Sequence, residues 1–106
     1  MSGTIVIDAA TFIDVRTIDF RRIVAALRAE RDDSAAIARL LYTVDACGLD
    51  MIGADELDAA GLAAFAAILE RLRRTLDDGD GLKGFLADLV AIVGRDERLH
   101  PSPPGA

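Results

Sequence analysis

Cys47 and His100 are the single thiol and the single imidazole of this chain, so any cysteine nucleophile would depend on that pair. A reactive thiol needs an imidazole held beside it by a third group. His100 opens the run His100-Pro101-Ser102-Pro103-Pro104-Gly105, which has nothing to orient a ring. Cys47 follows the apolar face of a helical segment and reads as a structural thiol. One cysteine allows no intrachain disulfide, and a reducing, cytoplasmic setting is expected. The loop Asp77-Asp78-Gly79-Asp80-Gly81 invites comparison with a calcium loop. However, setting Gly81 at the glycine of that motif puts Leu76 at the first ligand position and Ala87 at the last, so only Asp78 and Asp80 could ligate. Gly79, Gly81 and Gly84 form no phosphate cradle, because the loop is acidic and Lys83 alone cannot supply the missing charge. No catalytic residue, metal or cofactor is expected, and the chain does not read as an enzyme.

Asp33-Ser34 ahead of a helix is similar to the serine attachment point of acyl carrier proteins, but no leucine follows Ser34 and the preceding helix ends immediately before it. Ser34 therefore reads as part of a helix start, where its hydroxyl can satisfy a free amide. Arg71, Arg73 and Arg74 read as a solvated helix end that complements the macrodipole, rather than as a binding stripe.

The elements that would carry these residues are mostly helical. Thr4 to Asp8 and Thr11 to Val15 are β-branched and aromatic runs joined by Ala9-Ala10, which predicts two short strands. That turn lacks the Gly or Asn that primed hairpin turns favour, so a hairpin and an isolated strand both remain open. Thr17 is expected to cap a first helix with Phe20, Ile23, Val24 and Leu27 inward and Arg21, Arg22 and Arg28 outward, ending near Asp32. Asp33 is expected to cap a second helix, with Ile37, Leu40, Leu41 and Val44 inward and Gly48 as its closing glycine. Residues 49–61 read as a polar turn leading into a first helical turn, followed by a long helix over Leu62 to Leu76. Asp80 is expected to cap a fourth helix bearing Leu82, Phe85, Leu86, Leu89, Val90 and Val93. The prediction is a mainly α, four-helix domain of antiparallel helical hairpins with a short N-terminal β-hairpin or strand, spanning 1–94. A disordered tail is expected over 95–106.

Two features point to a protein partner. Leu62, Phe65, Leu69, Leu72 and Leu76 recur at spacings of three, four, three and four, a single apolar line along one helix that something must cover. The chain has 106 residues and only 5% aromatics, so its core is small and self-association is expected to help it. The second feature is charge. Residues 1–40 carry six basic and six acidic side chains, and the net charge of −6 arises wholly beyond them. Asp45, Asp50, Asp55, Glu56 and Asp58 form an acidic segment without a single basic residue. Such a segment either solvates a turn or steers a basic partner, and it repels phosphate backbones, which argues against direct nucleic-acid binding. The apolar N-terminal stretch is broken by Asp8 and Asp14, so neither a signal peptide nor a membrane span is expected.

The order of elements, with Asp19-Phe20-Arg21-Arg22-Ile23 opening one helix and Gly53-Ala54-Asp55-Glu56-Leu57-Asp58 leading into another, resembles the tail assembly chaperones of long-tailed bacteriophages and prophages over residues 4–76. The resemblance implies a non-catalytic protein that shields the apolar helices of a client, with Leu62, Phe65, Leu69 and Leu72 on the helix concerned. The alternative is an acidic inhibitor of the antitoxin, immunity or anti-CRISPR type, which would fill a basic nucleic-acid-binding site of its target with the carboxylates of 45–58.

Overall fold

A computed structural model describes residues 2–31, 34–46, 48 and 50–100. Among them the chain forms strands β1 (Ser2–Asp8) and β2 (Thr11–Arg16), helices α1 (Thr17–Ala29) and α2 (Ala35–Asp45), strand β3 (Met51–Gly53), and helices α3 (Ala59–Thr75) and α4 (Gly81–Gly94). Single 3-10 turns occur at Ala54–Glu56 and Glu97–Leu99.

The sheet corrects the predicted fold. It is a central, three-stranded element of order β2-β1-β3, with β2 antiparallel and β3 parallel to β1, and not a terminal hairpin attached to four helices. β1 is the middle strand. Its inner row reads Ile13-Ile5-Ile52 across the three strands, and Ile5 and Ile52 are fully buried. The segment 49–61, expected to be only a turn, supplies β3. Without it, the second edge of a buried strand would lack hydrogen-bond partners, a cost of about 1–3 kcal/mol for each unpaired group. Three residues are too few to show any periodicity in sequence, and only the proximity of β1 makes Met51–Gly53 a strand.

Local chemistry explains the remaining boundaries. The β1–β2 turn is steadied by Asp8, whose carboxylate accepts from the Ala10 amide at 2.8 Å. α1 begins at Thr17 itself, with Arg16 at the cap position and no side-chain cap. Ser34 caps α2 by accepting from Ile37 N at 3.4 Å, while Asp33, the expected cap, lies outside the described residues, as does Cys47. Gly48, at φ +66°, adopts the left-handed conformation that follows a helix end at little cost only in glycine. Asp58 caps α3 through Gly61 N at 2.7 Å, and Asp80 caps α4 through Leu82 N at 3.0 Å.

One apolar core joins all these elements. The inner sheet face shares it with Phe20, Ile23 and Leu27 of α1 and Ile37 and Leu41 of α2, and the same cluster continues through Leu62, Phe65 and Leu69 of α3 and Leu82, Leu86, Leu89 and Val93 of α4. Gly3 is required by this packing. A Cβ there would stand 2.3 Å from Cδ2 of Phe20, so the phenyl ring occupies the space a side chain would need.

Two ion pairs fasten α1 and its C-terminal cap to distant elements: Arg22 grips Asp80 with two bonds at 3.1 and 2.7 Å, and Arg71 of α3 meets Glu30, the residue after α1, at 2.9 Å. Arg22, expected on the solvent face, thus contacts a carboxylate 58 positions away. The hydrogen bond from Arg22 holds the Asp80 carboxyl below its ordinary range.

Candidate interaction surface

The apolar line on α3 is internal. Leu62, Phe65 and Leu69 are fully buried, and Leu72 and Leu76 are half-buried against the same core. Helices α1, α2 and α4 cover what was expected to await a partner, which removes the ground for self-association through this line. No partner can reach Leu62, Phe65 or Leu69 in this conformation.

The acidic segment is dispersed and partly committed. Asp45 pairs with Arg28, and Asp58 is spent on capping α3. Asp50 is exposed just before β3, beside a pocket lined by Phe20, Arg21, Val24, Arg28 and Val44. Asp55 and Glu56 are exposed on the 3-10 turn after β3. Three of the five carboxylates, Asp50, Asp55 and Glu56, therefore face solvent without a hydrogen-bonded cation among the described residues. Arg73 and Arg74 both meet Glu70, and the hydrogen bond from Arg73 lowers the Glu70 carboxyl to about 2.

Arg98 holds the acidic turn in place, and sequence reasoning missed it. Its guanidinium donates to Ala54 O at 2.9 Å, Leu57 O at 2.7 Å and Ile7 O at 2.8 Å, and forks onto Asp96 with two bonds of 2.9 Å. One side chain thus ties the end of β1, the turn after β3 and the segment after α4 together. The Asp96 carboxyl is lowered to about 2 by its hydrogen bonds to the Arg98 side chain and backbone. Residues 95–100 consequently belong to the packed body, with Leu99 against the core and the His100 ring within hydrogen-bond distance of Gly94 O at 2.6 Å. The expected tail is packed that far, and 101–106 lie outside the described residues. A Pro-rich ending concealed this: the signal was an arginine flanked by Asp96 and a lone Leu99, which has meaning only when unpaired carbonyls are near.

Around this clip lies an open cleft of about 730 Å³, lined by Asp8, Asp55, Arg95, Glu97 and Arg98, with Ile7 at its floor. Arg98 is consumed as described, and Arg95 donates to Ala91 O at 3.2 Å, which leaves Asp8, Asp55 and Glu97 as its exposed acids. Among the described residues, no three His, Cys, Asp or Glu side chains are grouped to hold a metal. Asp78 is engaged by Lys83 at 2.6 Å and Asp80 by Arg22, so the two carboxylates of the glycine loop serve the scaffold. No helix among the described residues is long and apolar enough to cross a membrane.

The fold has a counterpart. A chain in the structure described as "CdiA-CT toxin from Burkholderia pseudomallei E479 in complex with cognate CdiI immunity protein" superposes with a TM-score of 0.76 at 22% identity, covering 92% of this chain and 98% of that one. No protein-family model matches this chain, and no curated protein matches it. At that identity the match establishes a shared architecture, including the central sheet.

Proposed function

We propose that this chain is an immunity-type protein: a non-catalytic inhibitor that binds a toxin and blocks it. The observation that carries the reading is the near full-length match in fold to a chain of a toxin–immunity complex. Charge chooses between the two components of such a complex. A net charge of −6, concentrated beyond residue 40, with exposed Asp8, Asp50, Asp55, Glu56 and Glu97, suits a protein that covers a basic surface, such as the substrate groove of a nuclease. The same field disfavours contact with nucleic acid by the chain itself. The partner is therefore a protein, and inhibition works by occupation rather than by chemistry.

Expression of this chain alone should leave bacterial growth unchanged, the reading frame beside it should encode a toxin domain, and co-expression should relieve the growth arrest that domain causes. The purified pair should form a complex that weakens as salt is raised, because exposed charges are screened over about 8 Å at physiological ionic strength. Growth arrest by this chain alone, or failure to bind that toxin, would overturn the reading.

A further inference from the structure

The row Ile13-Ile5-Ile52 joins the helical core, and the other face of the sheet, which carries the exposed Phe12 and Asp14, bears an ordered pattern. Two rows cross it: Phe12-Val6-Gly53 and Asp14-Thr4-Met51. Phe12 is 63% exposed, although it lies in a strand whose alternate residues, Ile13 and Val15, turn inward. Val6 is buried and Met51 half-buried beside it, so the middle of the face is an apolar floor with one protruding ring. Val6 lies outside the main core cluster and is 7% exposed, so Phe12 is the apolar side chain that this face presents to solvent.

Carboxylates stand on both sides of the floor. Asp14, exposed on β2, shares the face with Phe12 and is touched by the Thr4 hydroxyl at 3.4 Å. On the β3 side, Gly53 presents no side chain, and Asp55 Oδ1 lies 3.3 Å from the point where its Cβ would be. The alternation of the strand places that point on the same face as Val6 and Phe12. Asp55 is held there because Arg98 fixes the backbone of its turn. Arg16, next along β2, bends back onto Asp19 with bonds of 3.1 and 3.0 Å and adds little positive charge to the patch.

From this arrangement we infer that this sheet face is the toxin-docking surface, with Phe12 as the anchor and Asp14 and Asp55 as flanking contacts for lysine or arginine side chains of a basic protein. This assignment rests on the immunity reading above and deepens it. Phe12 stands on the edge strand β2 beside Asp14, and an exposed aromatic residue next to charged groups is the arrangement in which one side chain carries much of the binding energy while the charges govern encounter. It also relocates the contact: the acidic segment 45–58 contributes only through Asp55, and β2, which that segment does not include, contributes the anchor and the second carboxylate.

The test uses the full chain and the purified toxin domain whose growth arrest it relieves. Phe12→Arg should weaken binding by about tenfold or more, as expected for loss of an aromatic anchor. Tyr42→Arg, which changes an equally exposed ring on α2 at 64% exposure, should leave affinity unchanged. Asp14→Lys should slow association roughly threefold or more at low salt and lose that effect at high salt. Circular dichroism and thermal melts of each variant should match the parent, since all three side chains are exposed. If Phe12→Arg binds as the parent does while Asp50→Lys or Glu56→Lys weakens binding, the face is misassigned and the immunity reading stands. If the parent chain binds no toxin, the immunity reading fails and this assignment falls with it. A parent chain that is dimeric in light scattering, made monomeric by Phe12→Arg without change in toxin affinity, would show that a second copy occupies the face and would overturn the assignment.

Discussion

The two faces of one strand show how differently alternate residues can be used. On its inner side β1 presents Gly3, Ile5 and Ile7, all buried, and Ile5 sits at the centre of a row spanning the sheet. On its outer side the same strand presents Thr4 and Val6 beneath an exposed Phe12 and an exposed Asp14. The inner face is specified by volume: Phe20 fits because residue 3 lacks a Cβ, and close-packed interiors have no spare room. The outer face is specified by chemistry, and its composition is not what stability alone requires.

Ways to break this contrast differ sharply in size. Ile5→Asp would place an unpaired carboxylate in the middle row and should unfold the chain, with a loss of about 4 kcal/mol or more by urea titration; Leu69→Asp should do the same from the helical layer. A folded Ile5→Asp protein would mean that the core has been misplaced. Arg98→Ala should cost about 2–4 kcal/mol, because three backbone carbonyls and Asp96 lose a charged donor together. Arg98→Lys should recover little of this, since an ammonium offers three donors from one atom and cannot span the five acceptors that the planar guanidinium reaches from three nitrogens.

Gly3→Ala should cost about 1–3 kcal/mol through its collision with the Phe20 ring, and a second substitution, Phe20→Leu, should relieve part of it. Phe12→Ser, at the opposite extreme, should shift stability by no more than about 0.5 kcal/mol, as exposed positions do.

Acid sharpens the comparison without mutation of either face. The folded Asp96 carboxyl sits at about 2, below the ordinary aspartate value of about 3.9. Between those values the unfolded chain binds more protons than the folded one. The stabilisation from this pair is complete above the unfolded value and is lost as pH falls through that window toward 2. Glu70, also at about 2 through Arg73, acts in the same direction. Stability measured across this range should fall less steeply in Arg98→Ala than in the parent, since that variant no longer holds Asp96 down.

Much of the helical layer was legible because a helix repeats its pattern over several turns. The face Phe20-Ile23-Val24-Leu27 is buried as its spacing predicts, as are Leu82, Leu86, Leu89 and Val93 of the fourth helix, with Phe85 and Val90 half-buried beside them, and the cap at Asp80 depends only on neighbours two residues away. The candidate surface was less legible. A lone Phe12 in a β-branched run looks like one more core residue, and an acidic stretch looks continuous until some of its members are found capping or pairing.

The amino-acid sequence by itself determined the helices, their apolar faces and the uneven charge, because periodicity, capping and composition act over a few residues. Only the tertiary structure decided that 51–53 is a strand, that the leucine line of α3 is interior, that Arg98 binds three distant carbonyls, and which face of the sheet carries the exposed Phe12. Those outcomes depend on which backbone groups and surfaces meet across tens of residues. Unpaired hydrogen-bonding groups and uncovered apolar area are satisfied by whatever lies beside them in space, not in sequence.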